Sequence, residues 1–147
     1  MALSLNHFSI RTLDIEATKD FYTHVLGLVE GPRPNFPFPG YWLYQGSVQD
    51  YANAAVHVIG IDKKDSSGLS GYLGGRVEEN LAGSGAVDHI AFFATGLTQM
   101  LSNLETLGVE VRRRDVPGIG LYQLFLNDPN GIVIELNYPS SEKTLQR

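Results

Sequence analysis

Three histidines and one glutamate stand in strand-like segments whose surroundings repeat along the chain. Leu5-Asn6-His7-Phe8-Ser9-Ile10 leads into a helix-like run, and Val87-Asp88-His89-Ile90-Ala91-Phe92 does the same in the second half. Each half then closes on a strand with a further good ligand: His57 in Ala54-Ala55-Val56-His57-Val58-Ile59, and Glu135 in Ile132-Val133-Ile134-Glu135-Leu136-Asn137. Imidazole and carboxylate suit first-row divalent ions, so His, His, His and Glu at matched positions of a duplicated unit read as a metal site. A single strand histidine is more often a satisfied core or surface group. Recurrence at matching places reverses that balance. His24 has no counterpart, and a solvated helix face accounts for it.

The elements that must position these residues also repeat. After His7 a strand runs to about Arg11, and Asp14 can cap a helix with Ile15, Phe21, Tyr22, Val25 and Leu26 near helical spacing. In the second half Leu97, Met100, Leu101, Leu104 and Leu107 make a cleaner stripe. Gly27 and Gly108 stop the two helices. Three strand-like segments follow each helix: about 28–33, 41–44 and 54–60, then about 109–114, 121–126 and 132–137. The unit is βαβββ, twice, in the α+β class. Module one covers about 1–65 and module two about 86–139, joined within a single domain by a Gly-rich segment.

Alternate residues of a strand face opposite sides. Ile132, Ile134 and Leu136 should therefore meet a helix, while Glu135 looks the other way with Val133 and Asn137. The same alternation sets His7, His57 and His89 apart from their aliphatic neighbours. All four ligands can line one concavity.

Composition narrows the classes. A chain of 147 residues with 43% hydrophobic content has material for one compact core. Eleven basic against 16 acidic residues leave a net charge of -5, which draws the molecule toward neither nucleic acid nor anionic lipid. Without cysteine there is no disulfide framework and no thiolate site. No basic start followed by an apolar run appears, nor any membrane-length stretch, so the expectation is a soluble, cytoplasmic protein.

The phrases Asn6-His7, Asp20-Phe21-Tyr22 with Val25-Leu26-Gly27-Leu28, Val87-Asp88-His89-Ile90, and Asn127-Asp128-Pro129-Asn130-Gly131 before Ile134-Glu135-Leu136 together resemble the vicinal oxygen chelate superfamily. That superfamily includes glyoxalase I, epimerases, extradiol dioxygenases, fosfomycin-resistance transferases and bleomycin-binding proteins. The resemblance implies a cup-shaped mixed or antiparallel sheet with helices outside, and one divalent ion (Fe, Mn, Ni, Co or Zn) held by first-strand and last-strand residues, here His7, His57, His89 and Glu135. It also implies a small-molecule substrate and a homodimer.

Three chemistries remain open. With four protein ligands, an octahedral ion keeps two positions for adjacent substrate oxygens, which suits glyoxalase-like or epimerase-like proton transfer through an enediolate or enolate, Glu135 serving as ligand and proton carrier. If His57 is not a ligand, His7, His89 and Glu135 form a two-histidine, one-carboxylate face suited to Fe(II), catechol and dioxygen, with Tyr122 assisting a phenolate. The third possibility is an antibiotic-binding protein, although that branch generally lacks the metal residues.

Two loops should shape the substrate pocket. The segment from Gly31 to Trp42 holds four prolines with Phe36, Phe38, Tyr41 and Trp42, so Phe38 and Trp42 are candidate walls. The Gly-rich stretch from Ser66 to Ala86 suits a lid or a linker, with Arg76 as a candidate contact for an anionic substrate. Arg112, Arg113 and Arg114 on a strand can share a surface only alternately. The polar tail from Ser140 to Arg147 is expected to be disordered.

Overall fold

The computed structural model describes residues 1–46, 50–62, 64, 67–72 and 81–145. The chain divides into two compact units, Met1–Leu81 and Ala82–Arg147. Each is a βαβββ module, as the repeat requires.

The first unit runs β1 (Phe8–Thr12), α1 (Ile15–Asp20), β2 (Val29–Gly31), β3 (Gly40–Tyr44) and β4 (Ala54–Gly60), followed by a short helix α2 (Ser67–Tyr72). Its sheet order is β1-β4-β3-β2. The second unit runs β5 (Ile90–Phe93), α3 (Leu97–Leu107), β6 (Arg112–Val116), β7 (Leu121–Asn127) and β8 (Val133–Pro139). Its order, β5-β8-β7-β6, is the same. In both, the first strand pairs in parallel with the last and the other pairs are antiparallel. Parallel neighbours need a long crossover. Here the helix and two intervening strands supply it, and the crossover brings first-strand and last-strand residues side by side.

Local chemistry explains the element ends. Asp14 Oδ1 accepts from Ala17 N at 2.9 Å and caps α1. Where the sequence predicts one helix to Leu26, the last turn, Phe21–Val25, widens to a π-helix, and Leu26 N donates to Phe21 O at 3.2 Å. The wider turn buries Phe21, Tyr22 and Val25 together. Gly27 (φ +80°) and Gly108 (φ +67°) end their helices in the left-handed region. Strand β2 stops at Gly31, short of its expected end, because Pro32 and Pro34 cannot donate to a ladder.

Two segments differ from expectation. The described part of the Gly-rich stretch holds α2, whose Leu69 is buried and whose Gly68 lies so close to Pro37 that a Cβ would stand 2.1 Å from the Pro37 oxygen. The described part of the tail, Ser140–Leu145, is a 3-10 helix rather than loose chain. Its Glu142 Oε1 accepts from Gly96 N at 2.9 Å and Leu97 N at 3.0 Å, supplying the cap that Gly96 cannot give α3.

The parity expectation holds. Ile10, Leu43, Val56 and Val58 share the buried aliphatic face of the first sheet, and Leu124, Leu126, Ile134 and Leu136 that of the second. No helix among the described residues is long and apolar enough to cross a membrane.

Candidate functional site

Strand register sets the two candidate ligand pairs identically. In the first unit Ser9 pairs with His57, so His7, two residues before Ser9, lies diagonally beside His57 on the same face. Their rings stack, with centroids 3.7 Å apart and planes 14° apart. In the second unit Ala91 pairs with Glu135, and His89 stands two residues before Ala91. His89 Nε2 reaches Glu135 Oε2 at 2.8 Å. The same diagonal thus joins imidazole to imidazole in one unit and imidazole to carboxylate in the other.

Each histidine is oriented through its second nitrogen or its backbone surroundings. Nδ1 of His7 lies 2.5 Å from Asn6 Oδ1, and Nδ1 of His89 lies 2.7 Å from Asp88 Oδ2. His57 makes a hydrogen bond to the backbone of Ala54 and leaves its Nε2 buried without a partner among the described residues. An oxygen acceptor on Nδ1 places the proton there and frees the Nε2 lone pair, the usual preparation of a metal-binding imidazole. Burial pushes the His57 imidazole down to about 4, with the neighbouring His7 and Arg33 adding to the effect and Ala54 opposing it. His57 is therefore neutral at physiological pH.

Glu135 is buried, 6% exposed, and is held by a relay with no counterpart among the described residues of the first unit. Gln123 Nε2 donates to Glu135 Oε1 at 2.7 Å and to Asn137 Oδ1 at 2.8 Å. Arg114 Nε donates in turn to Gln123 Oε1 at 2.7 Å. Arg112 and Arg114 both lie over the Phe125 ring, at 4.5 and 5.1 Å, so alternate members of the basic run do share this surface. On the same face Phe93, 90% exposed, walls with Asn137 and Leu121 a cleft of about 490 Å³.

Trp42 pairs with His57 across β3 and β4 and stacks on it at 3.9 Å, extending the His7–His57 stack to three rings. Phe38 belongs to the same wall through Phe36 and Tyr72, at 5.3 and 5.0 Å. Tyr122 does not join Glu135. It pairs with Tyr138 on the opposite, helix-facing side of the second sheet, 5.8 Å from the Lys143 ammonium. Arg76 lies outside the described residues. Among the described residues no three His, Asp or Glu side chains are grouped to hold a metal; each unit brings together a pair. Gln123 and Arg114 went unassigned from sequence because their place beside Glu135 depends on pairing between strands. Counting outward from the Asp128–Gly131 turn is the signal that could have found them.

The chain matches the sequence profile of the Glyoxalase/Bleomycin resistance protein/Dioxygenase superfamily over residues 4–136. It belongs to that superfamily. Among curated relatives, Glyoxylase I 4 of Arabidopsis thaliana is 26% identical over 136 residues, covering 90% of this chain and 69% of that protein. A protein assigned to the glyoxalase family in Bacillus anthracis shares the fold with a TM-score of 0.67 at 20% identity, over 95% of this chain and 97% of the other. A mutant of FosX, the fosfomycin resistance protein of Listeria monocytogenes, crystallised with Mn(II) and 1S,2S-dihydroxypropylphosphonic acid, matches with a TM-score of 0.62 at 16% identity over the whole of both chains. The superfamily thus includes a member that takes a divalent ion and a small molecule.

The residues of this superfamily member fit such an ion chemically. The orphaned, buried His57 Nε2 is a donor atom awaiting an acceptor. His89 has carboxylate oxygens 2.7 and 2.8 Å from its two nitrogens, so a cation bound at Nε2 would meet Glu135 Oε2 as well. For His7 and His57 to ligate together their planes must splay from 14°, giving up a stacking contact of about 1 kcal/mol.

Proposed function

We propose that the protein is a divalent-metal-dependent enzyme acting on a small molecule with two adjacent oxygens, by glyoxalase-like or epimerase-like proton transfer. In this reading His7, His57, His89 and Glu135 bind one ion. The observation that carries it is the matched pair of half-sites, each a first-strand histidine with an oxygen-bonded Nδ1 and a diagonal last-strand ligand. The Mn(II) and vicinal diol bound by FosX are the same class of ion and substrate group. When bound, the ion supplies stabilisation of the charge that develops on two neighbouring oxygens as an enolate or enediolate forms.

The remaining work falls to side chains. Glu135 Oε2 takes the substrate proton and returns it, while Gln123 holds Oε1 in place, so that the carboxylate keeps one oxygen fixed. Trp42 and Phe38 provide apolar wall. Assembly into a homodimer in the cytoplasm belongs to the same proposal, and light scattering of the purified chain tests the assembly. For the chemistry, the test is calorimetric titration with Mn, Fe, Ni, Co and Zn, followed by proton–deuterium exchange into a panel of hemithioacetals and 2-substituted thioesters. One ion per chain and exchange that requires it are expected. No binding of any of the five metals would overturn the reading.

One observation favours a second reading. His57 is sandwiched between His7 and Trp42, as a wall residue would be, and without it His7, His89 and Glu135 make the set suited to Fe(II) and dioxygen. Oxygen uptake with catechols by Fe(II)-loaded protein, undiminished in His57→Asn, would select that alternative.

A further inference from the structure

The ligand-bearing face of the first unit holds a cation for which the described residues supply no anion. Arg33, in the loop between β2 and β3, lies 5.1 Å from the ring centre of Phe36 and 5.2 Å from that of Phe38. Its Nη2 donates to the Phe38 carbonyl at 2.8 Å. Among the described residues no carboxylate comes within ion-pair distance of it. Gly40 leaves the space it fills, since a Cβ there would stand 3.2 Å from Nη2 and 3.3 Å from Nε.

The second unit shows what that place does when it serves only the chain. Gly40 is two residues before Trp42 on β3, as Gln123 is two residues before Phe125 on β7, and Trp42 and Phe125 pair with His57 and Glu135. Gln123 puts a neutral donor beside a carboxylate, a satisfied arrangement. In the first unit the corresponding space holds a full positive charge near an imidazole. Burial disfavours the charge on the guanidinium, and the neutral imidazole beside it offers no negative charge in return. A partly desolvated cation facing two rings, one carbonyl and an imidazole is left without charge compensation.

Arg33, Phe36, Phe38, Trp42, His57 and Tyr72 line one cavity of about 20 Å³, room for one water-sized group such as a single carboxylate oxygen, with the rest of a molecule left at its mouth. We propose that this is an anion subsite, in which the free N–H groups of Arg33 take the carboxylate of a small, flat organic acid whose apolar body lies against Phe36, Phe38 and Tyr72. The planar guanidinium suits a planar carboxylate in a way an ammonium does not. The proposal rests on reading the His57 face as the substrate face, and it gives that substrate a negative charge. In a chain of net charge -5, such a preference requires a local cation.

Trp42 is the only tryptophan, and it stacks on His57 in this cavity, so intrinsic fluorescence reports on the site directly. Metal-stripped protein in the presence of chelator is titrated with benzoate and with benzamide, its uncharged analogue of similar shape. The expected result is a saturable response to benzoate at a concentration at least tenfold below that for benzamide, with the difference abolished in Arg33→Gln. Equal responses of the wild-type protein, or a preference for benzoate that survives Arg33→Gln, would overturn the proposal. Circular dichroism checks the variant. If Arg33→Gln does not fold, Arg33→Lys decides: benzoate binding should weaken at least threefold with benzamide unchanged, and unaltered benzoate binding rejects the subsite. Because no metal is present, a positive result stands even where metal titration fails, and the two readings fall separately.

Discussion

Position for position, the two units put different chemistry on one lattice of strands. Trp42 and Phe125 stand opposite His57 and Glu135, Gly40 corresponds to Gln123, and Ile59 corresponds to Asn137. The first unit builds its candidate ligand pair from stacked rings and leaves His57 Nε2 without a partner among the described residues. The second ties its pair into a chain of hydrogen bonds from Arg114 through Gln123 to Glu135 and His89. Stacking fixes a plane but lets a ring slide, whereas hydrogen bonds fix atoms. Identical backbone pairing thus supplies one candidate ligand pair built on stacked rings and another built on a carboxylate held at stated atoms.

The largest effect should come from removing the charge of the second half. Glu135→Gln keeps the shape and the contact with Gln123 but removes the proposed base, and deuterium exchange into substrate should slow by about 10²–10⁴-fold. Retained full turnover would mean that the carboxylate moves no proton. A smaller loss should follow from cutting the relay. Gln123→Leu leaves Glu135 Oε1 and Asn137 Oδ1 without their donor, and metal affinity by calorimetry should fall by roughly 10–100-fold. Trp42→Leu, the corresponding cut in the first unit, removes only a stacked ring and should cost roughly fivefold, in line with about 1 kcal/mol. Equal losses from the two variants would erase the contrast between the halves.

How much of this contrast the sequence carried depends on whether one strand sufficed to read it. The repeat, the helix stops at Gly27 and Gly108 and the sidedness of His7, His57, His89 and Glu135 are periodic features within single segments. Tyr122 and Gln123 are neighbours on β7, and choosing between them requires the register against β8, where one residue of slip exchanges the faces. The turn sets that register: Asn127 pairs with Val133, and counting outward puts Phe125 at Glu135 and Gln123 at Asn137. That leaves Tyr122 on the wrong side to assist at Glu135. Glu142 was out of reach for another reason, since it caps a helix 45 residues earlier in the chain and no local pattern announces it.

The pH dependence of stability should also separate the units. His57 titrates at about 4 when folded and near 6.5 when free, so between those values the unfolded chain binds more protons. The stability contributed by neutral His57 is complete above pH 6.5 and declines as pH falls toward 4. Thermal unfolding of metal-stripped protein should therefore show a fall in Tm across that window that His57→Asn flattens. A wild-type profile that stays flat from 6.5 to 4 would place the imidazole in water, contrary to its buried Nε2.

The smallest contrast lies on the helix-facing side. Gly60 and Tyr138 each follow the corresponding residues Ile59 and Asn137. At Gly60 a Cβ would stand 2.8 Å from Pro39 Cγ and 2.9 Å from Ile15 Cγ2, so α1 approaches the sheet only because nothing projects there. Tyr138 instead fills its place, fully buried, with a hydroxyl that has no partner among the described residues and burial pushing its pKa up to about 12. Gly60→Ala should cost about 1–3 kcal/mol by overpacking. Tyr138→Phe removes an unsatisfied polar atom while keeping the ring, and should be neutral or stabilising by up to about 1 kcal/mol. Denaturant unfolding of the two variants measures both signs. A loss from Tyr138→Phe as large as that from Gly60→Ala would mean that the hydroxyl has a hydrogen-bonding partner after all, and that the second unit is tied by polar contacts on both faces of its sheet.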